Sequence, residues 1–481
     1  MPMPGDSVLT HHKNPTRDGV YVEPALTKAA VATLNQDTTF NAMLPDANDA
    51  VYAQPLFVDG GGTGKDLVIV STEANNVYAL DGATGAVVWK TNLGTPVPLS
   101  SMSCGNIDPF GVTGTPVIDW PSRTMFLDAL VMGGGPVHMV FALSIDTGAK
   151  KQGWPVLVDA VAAFGGASFN DTTHGERGAL TIVGGTVYVP FGGLYGDCNP
   201  YHGWVLAIDM ADPTKVQSWA TTLKGGGIWA VGGIATDGTN LYVSTGNTFN
   251  GNNTWGGGDA VIRLGTGAAF SSAPTYFAPK NWQALDNADL DLGTAPVLFD
   301  LPGSTPSALA LAFGKDGNAY LLDRNNLAGV ADALGASGGS HATLHVSSGE
   351  ILGAPVVYKT SMATYAVFRG SGSVCTSGSG NLSSLKVVPG SPPTLAGSWC
   401  ADAGTGSPMV TTSDGTSDVI VWTPGAESDG HLHAFDGDTG APISFPGANV
   451  HIANMRRFNT PIAAKGRIFV AADNQVVAFK P

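Results

Sequence analysis

Positive charge is scarce in this chain, where 23 Lys and Arg stand against 38 Asp and Glu for a formal net charge of −15. With no Lys/Arg cluster to displace the counterions of a polyanion, nucleic acid and anionic membrane surfaces are excluded as partners. No apolar run is long enough to span a bilayer. The opening MPMPGDSVLT lacks the basic and apolar regions of a signal peptide, as expected of a cytosolic chain or of a mature exported form. Cysteine is sparse as well. Cys104, Cys198, Cys375 and Cys400 show no C-x-x-C metal spacing, and no C-x-x-C-H haem site occurs, so any redox activity needs a separate electron acceptor. Cys375 and Cys400 fall within one repeat, where a bridge is expected, and the even count points to an oxidising compartment, the periplasm or the cell exterior.

Helical periodicity never lasts more than a few turns, whereas glycine is abundant, at 65 of 481 residues. Many short alternating runs bounded by Gly, Asn, Asp and Ser read as an all-β chain. A motif of small residues, then Pro, then alternating apolar residues recurs at Pro55, Pro116, Pro296, Pro355, Pro408 and Pro461. Equivalents without proline fill the gaps at Leu180 and Ile234. About eight repeats of roughly 50 to 65 residues result, each long enough for four strands, which is the pattern of a β-propeller. A second signature follows the first in several repeats, as in VYALDGATGAVVW, VFALSIDTGAK and LHAFDGDTGAP, where Asp caps a turn and Gly supplies its positive φ.

The final repeat, from Pro461, holds only three strands. An N-terminal strand near Ser7–His12 is expected to supply the fourth and close the ring, so that residues 1–481 form one propeller domain without open sheet edges.

The turn signature ALDGATGAVVW, repeated around a ring, resembles the pyrroloquinoline-quinone (PQQ) type of eight-bladed propeller. That family comprises quinoprotein alcohol dehydrogenases and cofactor-free relatives that assemble outer-membrane proteins. Three segments carry the resemblance into a site. GGGIWAVGGIATDGTNLYVSTGN resembles the stretch that supplies the Trp beneath the quinone and an Asn that ligates calcium or a lanthanide, implying those roles for Trp229 and Asn247. NADLDLGTAPVLFD resembles the stretch bearing the catalytic aspartate, which falls on Asp291, a metal ligand as well. FGKDGNAYLLDRNNL resembles the stretch bearing a cation beside the quinone carbonyls, here Lys315. The family's metal-binding Glu aligns with Leu194, its carboxylate-binding Arg with Phe110, and its adjacent cysteine pair with Cys104 alone.

Beyond the resemblance, His174, Glu176, Arg177, Asp289, Arg456 and Arg457 also lie just ahead of inner strands, whose ends converge on a propeller's axis. Such a cluster suits an anionic or polyhydroxyl ligand, or else forms salt bridges that fill the channel. The expected function is a quinoprotein-like oxidoreductase acting on an alcohol or sugar, with PQQ and calcium or a lanthanide. The alternative is a PQQ-free propeller that binds a peptide, glycan or partner protein, or a lyase or hydrolase that uses Asp291 with Lys315 or His174.

Overall fold

The computed structural model describes residues 5–46, 49–61, 64–198, 200–249, 254–270, 274–331 and 340–481. Inner strands start directly after the repeated motif: Leu56–Val58 follows Pro55, Val117–Asp119 follows Pro116, and Ile462–Ala464 follows Pro461. In the third and fourth repeats Leu180 and Ile234 hold the same place, ahead of Thr181–Val183 and Ala235–Thr236. Proline has no N–H to donate, so the first residue of an edge strand is where it is tolerated. From each inner strand the chain meanders outward, as in Leu56–Val58, Leu67–Ser71, Asn76–Asp81 and Val87–Asn92, which form an antiparallel four-stranded blade. Eight four-stranded blades make an all-β propeller; in the seventh, three antiparallel strands are joined by a parallel N-terminal strand on the inner edge. Among the described residues no helix is long and apolar enough to cross a membrane.

The Asp-containing turns cap themselves and join neighbouring blades. Asp81 Oδ1 accepts the amides of Ala83 and Thr84 at 2.9 and 3.1 Å, and Asp436 Oδ1 accepts those of Asp438 and Thr439 at 3.0 and 2.9 Å. Trp89, on the outer strand of blade one, donates its indole N–H to the Ile145 carbonyl in the turn of blade two at 2.9 Å. Trp399 of blade six repeats the arrangement with Gly437 of blade seven at 3.2 Å. The sequence order of the blades is thereby their spatial order.

Ring closure comes from the N-terminal part of the chain, but not from Ser7–His12. Asn35–Gln36 pairs antiparallel with Gln475–Lys480 and completes blade eight, while Ala42–Met43 pairs farther along the same strand. Residues 7–12 instead enter the central channel. Val8 exchanges two backbone hydrogen bonds with Phe57 of blade one, at 2.8 and 3.0 Å. Beyond it the carbonyls of Leu9, Pro15, Thr16, Asp18 and Gly19 accept the amides of Ile118, Thr236, Leu298, Val357 and Val410, at 2.9 to 3.0 Å. These amides belong to the inner strands of blades two, four, five, six and seven. Arg17 Nη2 donates to the Leu180 carbonyl at the start of blade three at 2.9 Å, and Glu23 Oε2 accepts the Gly466 amide of blade eight at 2.8 Å. Val20–Val22 runs parallel to Met409–Thr412 of blade seven.

The reason for the displacement is the hydrogen-bonding capacity of inner strands. Their axis-facing amides have no neighbour within the blade, and each left unmet in a closed channel costs about 1–3 kcal/mol. The N-terminal segment meets them around the ring. Arg17 is the centre of this segment: it is 1% exposed, and Nη1 donates to Thr10 Oγ1 at 2.6 Å and to the His11 carbonyl at 3.0 Å. Burial without a carboxylate partner brings its guanidinium down to about 9.

The four cysteines form two bridges. Cys375–Cys400 lies within blade six, and Cys104–Cys198 joins the loop after blade one to a loop of blade three. The first is the bridge expected from the sequence.

Deleting residues 5–23 while retaining the closing strand removes acceptors for inner amides in most blades. The expected outcome is loss of the cooperative thermal transition and elution as aggregates in size-exclusion chromatography. A monomeric variant with an unchanged melting curve would show that the segment is not needed to hold the ring.

Candidate functional site

Where the chain enters the inner strands, beyond the end filled by the N-terminal segment, the channel opens into a cavity of about 1000 Å³. Its walls include Trp229, Asn247, Asp289, Asp291 and Lys315 on one side. Gly225 and Gly226 adopt positive φ values of 86° and 66°, and the glycine run doubles back against residues 246–248, with the Gly226 amide donating to the Asn247 carbonyl at 2.6 Å and the Gly246 amide to Gly227 at 2.9 Å. This hairpin delivers a half-buried Trp229 to the cavity beside Asn247. Gly246 is required by space: a Cβ there would lie 2.7 Å from Asp291 Oδ1 and 3.1 Å from Trp229 Nε1.

Asp291 is held at both carboxylate oxygens. Oδ1 accepts the Asn247 backbone amide at 2.6 Å, and Oδ2 meets the Lys315 ammonium at 2.6 Å. Lys315 also bonds Asp289 Oδ1 at 2.9 Å and stands 5.5 Å from the centre of the Trp229 ring. Burial raises the Asp291 carboxyl, offset only in part by Lys315 and the Asn247 amide. Burial alone would lower Lys315, but Asp291 and Asp289 more than reverse this, so it stays an ammonium ion. Behind this pair, Asp286 accepts the Thr248 amide at 2.5 Å, and fully buried Asp259 is pushed well up by burial and then by the charges of Asp291 and Asp286. Asp259 and Asp286 were not singled out from the sequence, which offers no pattern linking them to Asp291.

Blades two, three and eight make the facing wall. His174 is a framework residue: Nδ1 donates to the Asn170 carbonyl at 2.8 Å, Nε2 accepts the His202 amide and the Trp204 indole N–H at 3.2 Å each, and Phe169 stacks on the ring at 4.2 Å. Burial brings it down to about 3, so it is neutral and has no lone pair free for catalysis. Arg456 is engaged by Asp473 and Arg457 by Glu427. Glu176 and Arg177 also line this wall. Phe110 and Leu194 are both 6% exposed and belong to an apolar cluster with Val97, Ile107 and Leu130. The Cys104–Cys198 bridge packs against that cluster.

His138 is the wall residue that sequence reasoning missed, because PVHMVFALS reads simply as a strand. Its Nδ1 lies 2.6 Å from Asp128 Oδ2 and its Nε2 lies 3.1 Å from the His174 carbonyl. With Asp128 ionised the ring is an imidazolium that donates at both nitrogens, although burial raises the Asp128 carboxyl as well. Burial opposes that charge, but Asp128, with Asp171 farther off, raises His138 above its ordinary 6.5. The pair therefore stabilises the fold fully below the unfolded value and loses that contribution as pH rises through the folded one. As pH rises above about 6.5, the urea midpoint of the wild type should fall relative to that of His138→Gln. Parallel pH profiles would exclude a charged pair.

Among the described residues no three His, Cys, Asp or Glu side chains are grouped so as to hold a metal ion. Around Asp291 the donors that the sequence aligns with metal ligands are Asn247 and Asp291 itself, and the Lys315 ammonium already occupies Oδ2.

No family model and no curated protein sequence matches the chain. Among solved structures it is similar to a quinohemoprotein alcohol dehydrogenase from Pseudomonas putida HK5, with 14% identity over 99% of this chain and 80% of that one and a TM-score of 0.65. It is also similar to BamB from Moraxella catarrhalis, at 13% identity over 93% of this chain and 98% of that one, with a TM-score of 0.46. At these identities the likeness is one of fold, and the fold it shares with the dehydrogenase is the eight-bladed β-propeller.

Proposed function

We propose that the cavity is the active site of a quinoprotein-like oxidoreductase acting on an alcohol or sugar hydroxyl. The observation that carries this reading is the meeting of Asp291, Lys315 and the open side of Trp229 on one wall. A planar quinone fits that wall, because the indole offers it a flat face and Lys315 a donor for its oxygens. Bound there, PQQ would supply the two-electron acceptor. Calcium or a lanthanide does not fit: hard cations of this kind take about six to eight oxygen ligands, whereas this wall offers Asn247 with Asp289 and Asp291 both already paired with Lys315, and the facing wall an apolar Leu194.

In this reading Asp291 accepts the proton of the substrate hydroxyl. Its burial moves the carboxyl toward neutrality and so makes it a better base than an exposed aspartate. Lys315 stabilises negative charge developing beside it. The two disulfides suit an oxidising compartment, so we assign the protein to the periplasm or the cell exterior, with a separate electron acceptor.

One observation favours a second, quinone-free reading. Phe110 and Leu194 present hydrocarbon where the resemblance calls for a carboxylate clamp and a metal ligand. A non-redox enzyme built on Asp291 and Lys315, or a propeller that binds a glycan, peptide or protein partner, has no need of either.

Titration with PQQ separates the two readings. The first expects a shifted quinone spectrum on binding and reduction of an artificial dye when alcohols or sugars are added, without added calcium. Asp291→Asn should then lower turnover by about 100-fold or more with an unchanged melting temperature. Trp229→Ala should weaken quinone binding by about tenfold. Absence of any spectral change, or full dye reduction by Asp291→Asn, would overturn the oxidoreductase.

A further inference from the structure

Between the N-terminal segment and the large cavity lies a second, smaller hollow, with room for about one particle the size of a water molecule. Tyr52, Thr113, Arg177, Arg457 and Phe458 line both spaces, whereas His11, from the segment, lines only the hollow. Half-buried Arg177 makes no side-chain ion pair or hydrogen bond among the described residues, and its guanidinium lies 5.7 Å from the centre of the Phe458 ring. Arg457 pairs with Glu427 at 3.0 Å, at an exposed position where solvent screens the attraction. His11 is 2% exposed, and its Nδ1 has no hydrogen-bond partner among the described residues. Burial holds it well below its ordinary 6.5, so it is a neutral ring with one N–H to give.

A buried polar atom without a partner calls for one. The question is what kind of particle supplies it. Among the described residues no Asp or Glu lines the hollow. Glu73, whose charge acts on Arg177 from outside it, accepts the Gly111 amide at 2.7 Å and is brought by burial to about 7, so it offsets the cation only in part. Thr115 Oγ1 accepts the Gln54 amide at 3.0 Å, which leaves its own proton to donate. Water brings donors and acceptors in equal number, but the groups around this hollow are in need of an acceptor, and two of them are cationic. A monatomic anion accepts from all of them and is only a little larger than water.

We propose that the hollow binds a single chloride-sized anion between His11, Arg177 and Arg457. The site stands apart from the oxidoreductase reading, since none of these residues belongs to the arrangement around Asp291. His11 comes from the N-terminal segment, Arg177 from the chain entering blade three and Arg457 from the chain entering blade eight. One anion thus ties the segment to two blades and seals the floor of the large cavity.

Thermal melting of the full chain and of Arg177→Gln in sodium chloride, bromide, acetate and gluconate at equal ionic strength tests this. The difference between the two proteins in each salt cancels the general effect of that salt on stability. Chloride and bromide are expected to raise the wild-type transition above that of the variant by about 2 °C more than gluconate does. In gluconate the two transitions should coincide, because removing Arg177 strands no partner. Crystals of the wild type grown in bromide should show its anomalous signal between His11, Arg177 and Arg457, which decides the matter if the variant fails to fold. A difference that is the same in chloride and gluconate, or a hollow without bromide in the crystal, would overturn the site. So would acetate acting as strongly as chloride, since the hollow would then take one oxygen of a carboxylate rather than a free monatomic ion.

Discussion

The backbone of the N-terminal segment, laid against the inner strands of the ring, is the interaction on which the rest depends. Eight meandering sheets around an axis leave a channel whose walls carry unpaired amides at every inner edge. Side chains alone cannot satisfy them, because a strand presents its amides along the backbone direction. A second backbone can, and here it does so with five carbonyls, those of Leu9, Pro15, Thr16, Asp18 and Gly19. The same segment closes one end of the channel, so what remains at the other end is a blind cavity rather than a pore. The site therefore depends on a stretch of chain that contributes little of its wall.

Inside the cavity, charge is distributed unevenly. Asp291 and Lys315 are paired and hydrogen-bonded, and so are Asp128 and His138. Burying such pairs gains little net stability, because desolvation offsets most of their attraction. They are better understood as fixed electrostatics, held ready for a charge that appears elsewhere. Burial also raises the carboxyl groups of Glu176, Asp259 and Glu73, the last of which accepts the Gly111 amide at 2.7 Å and is brought to about 7, so the acid content of this very acidic chain is pushed toward neutrality where it is deepest.

Much of the fold was legible because its determinants are local. Proline before an inner strand, alternation within it and Asp-Gly turns after it are all short-range, and the motif prolines fall immediately ahead of inner strands. The closing strand was displaced because the sequence shows only that blade eight lacks a strand, not that the channel needs one more. The structure buries His11, His12 and Arg17, which an outer-edge strand would leave exposed, and nothing in their order along the chain signals that burial. For the candidate site, the segments around Trp229, Asn247, Asp291 and Lys315 were legible through resemblance, and their proximity follows from the ring. His138 with Asp128, and Asp259 behind Asp291, were not legible, since a lone ionisable residue within an apolar strand or loop says nothing about what another blade places against it. His174 misled for the complementary reason, as its lone pair was already taken by Trp204 and His202.

The lining of the channel also has a consequence in time. The hydrogen bond between Glu23 and Gly466 spans 443 residues, and Val20–Val22 finds its partner strand only at Met409–Thr412. Contacts of such separation form late, because the chain loses loop entropy before it gains any bond. The segment that comes before every blade in chain order is thus seated only when all the blades stand. Until then the inner edges remain open templates for foreign strands. Maturation of the cavity is a single terminal event, and any factor that protects this protein during folding has the most to do just before its first residues dock.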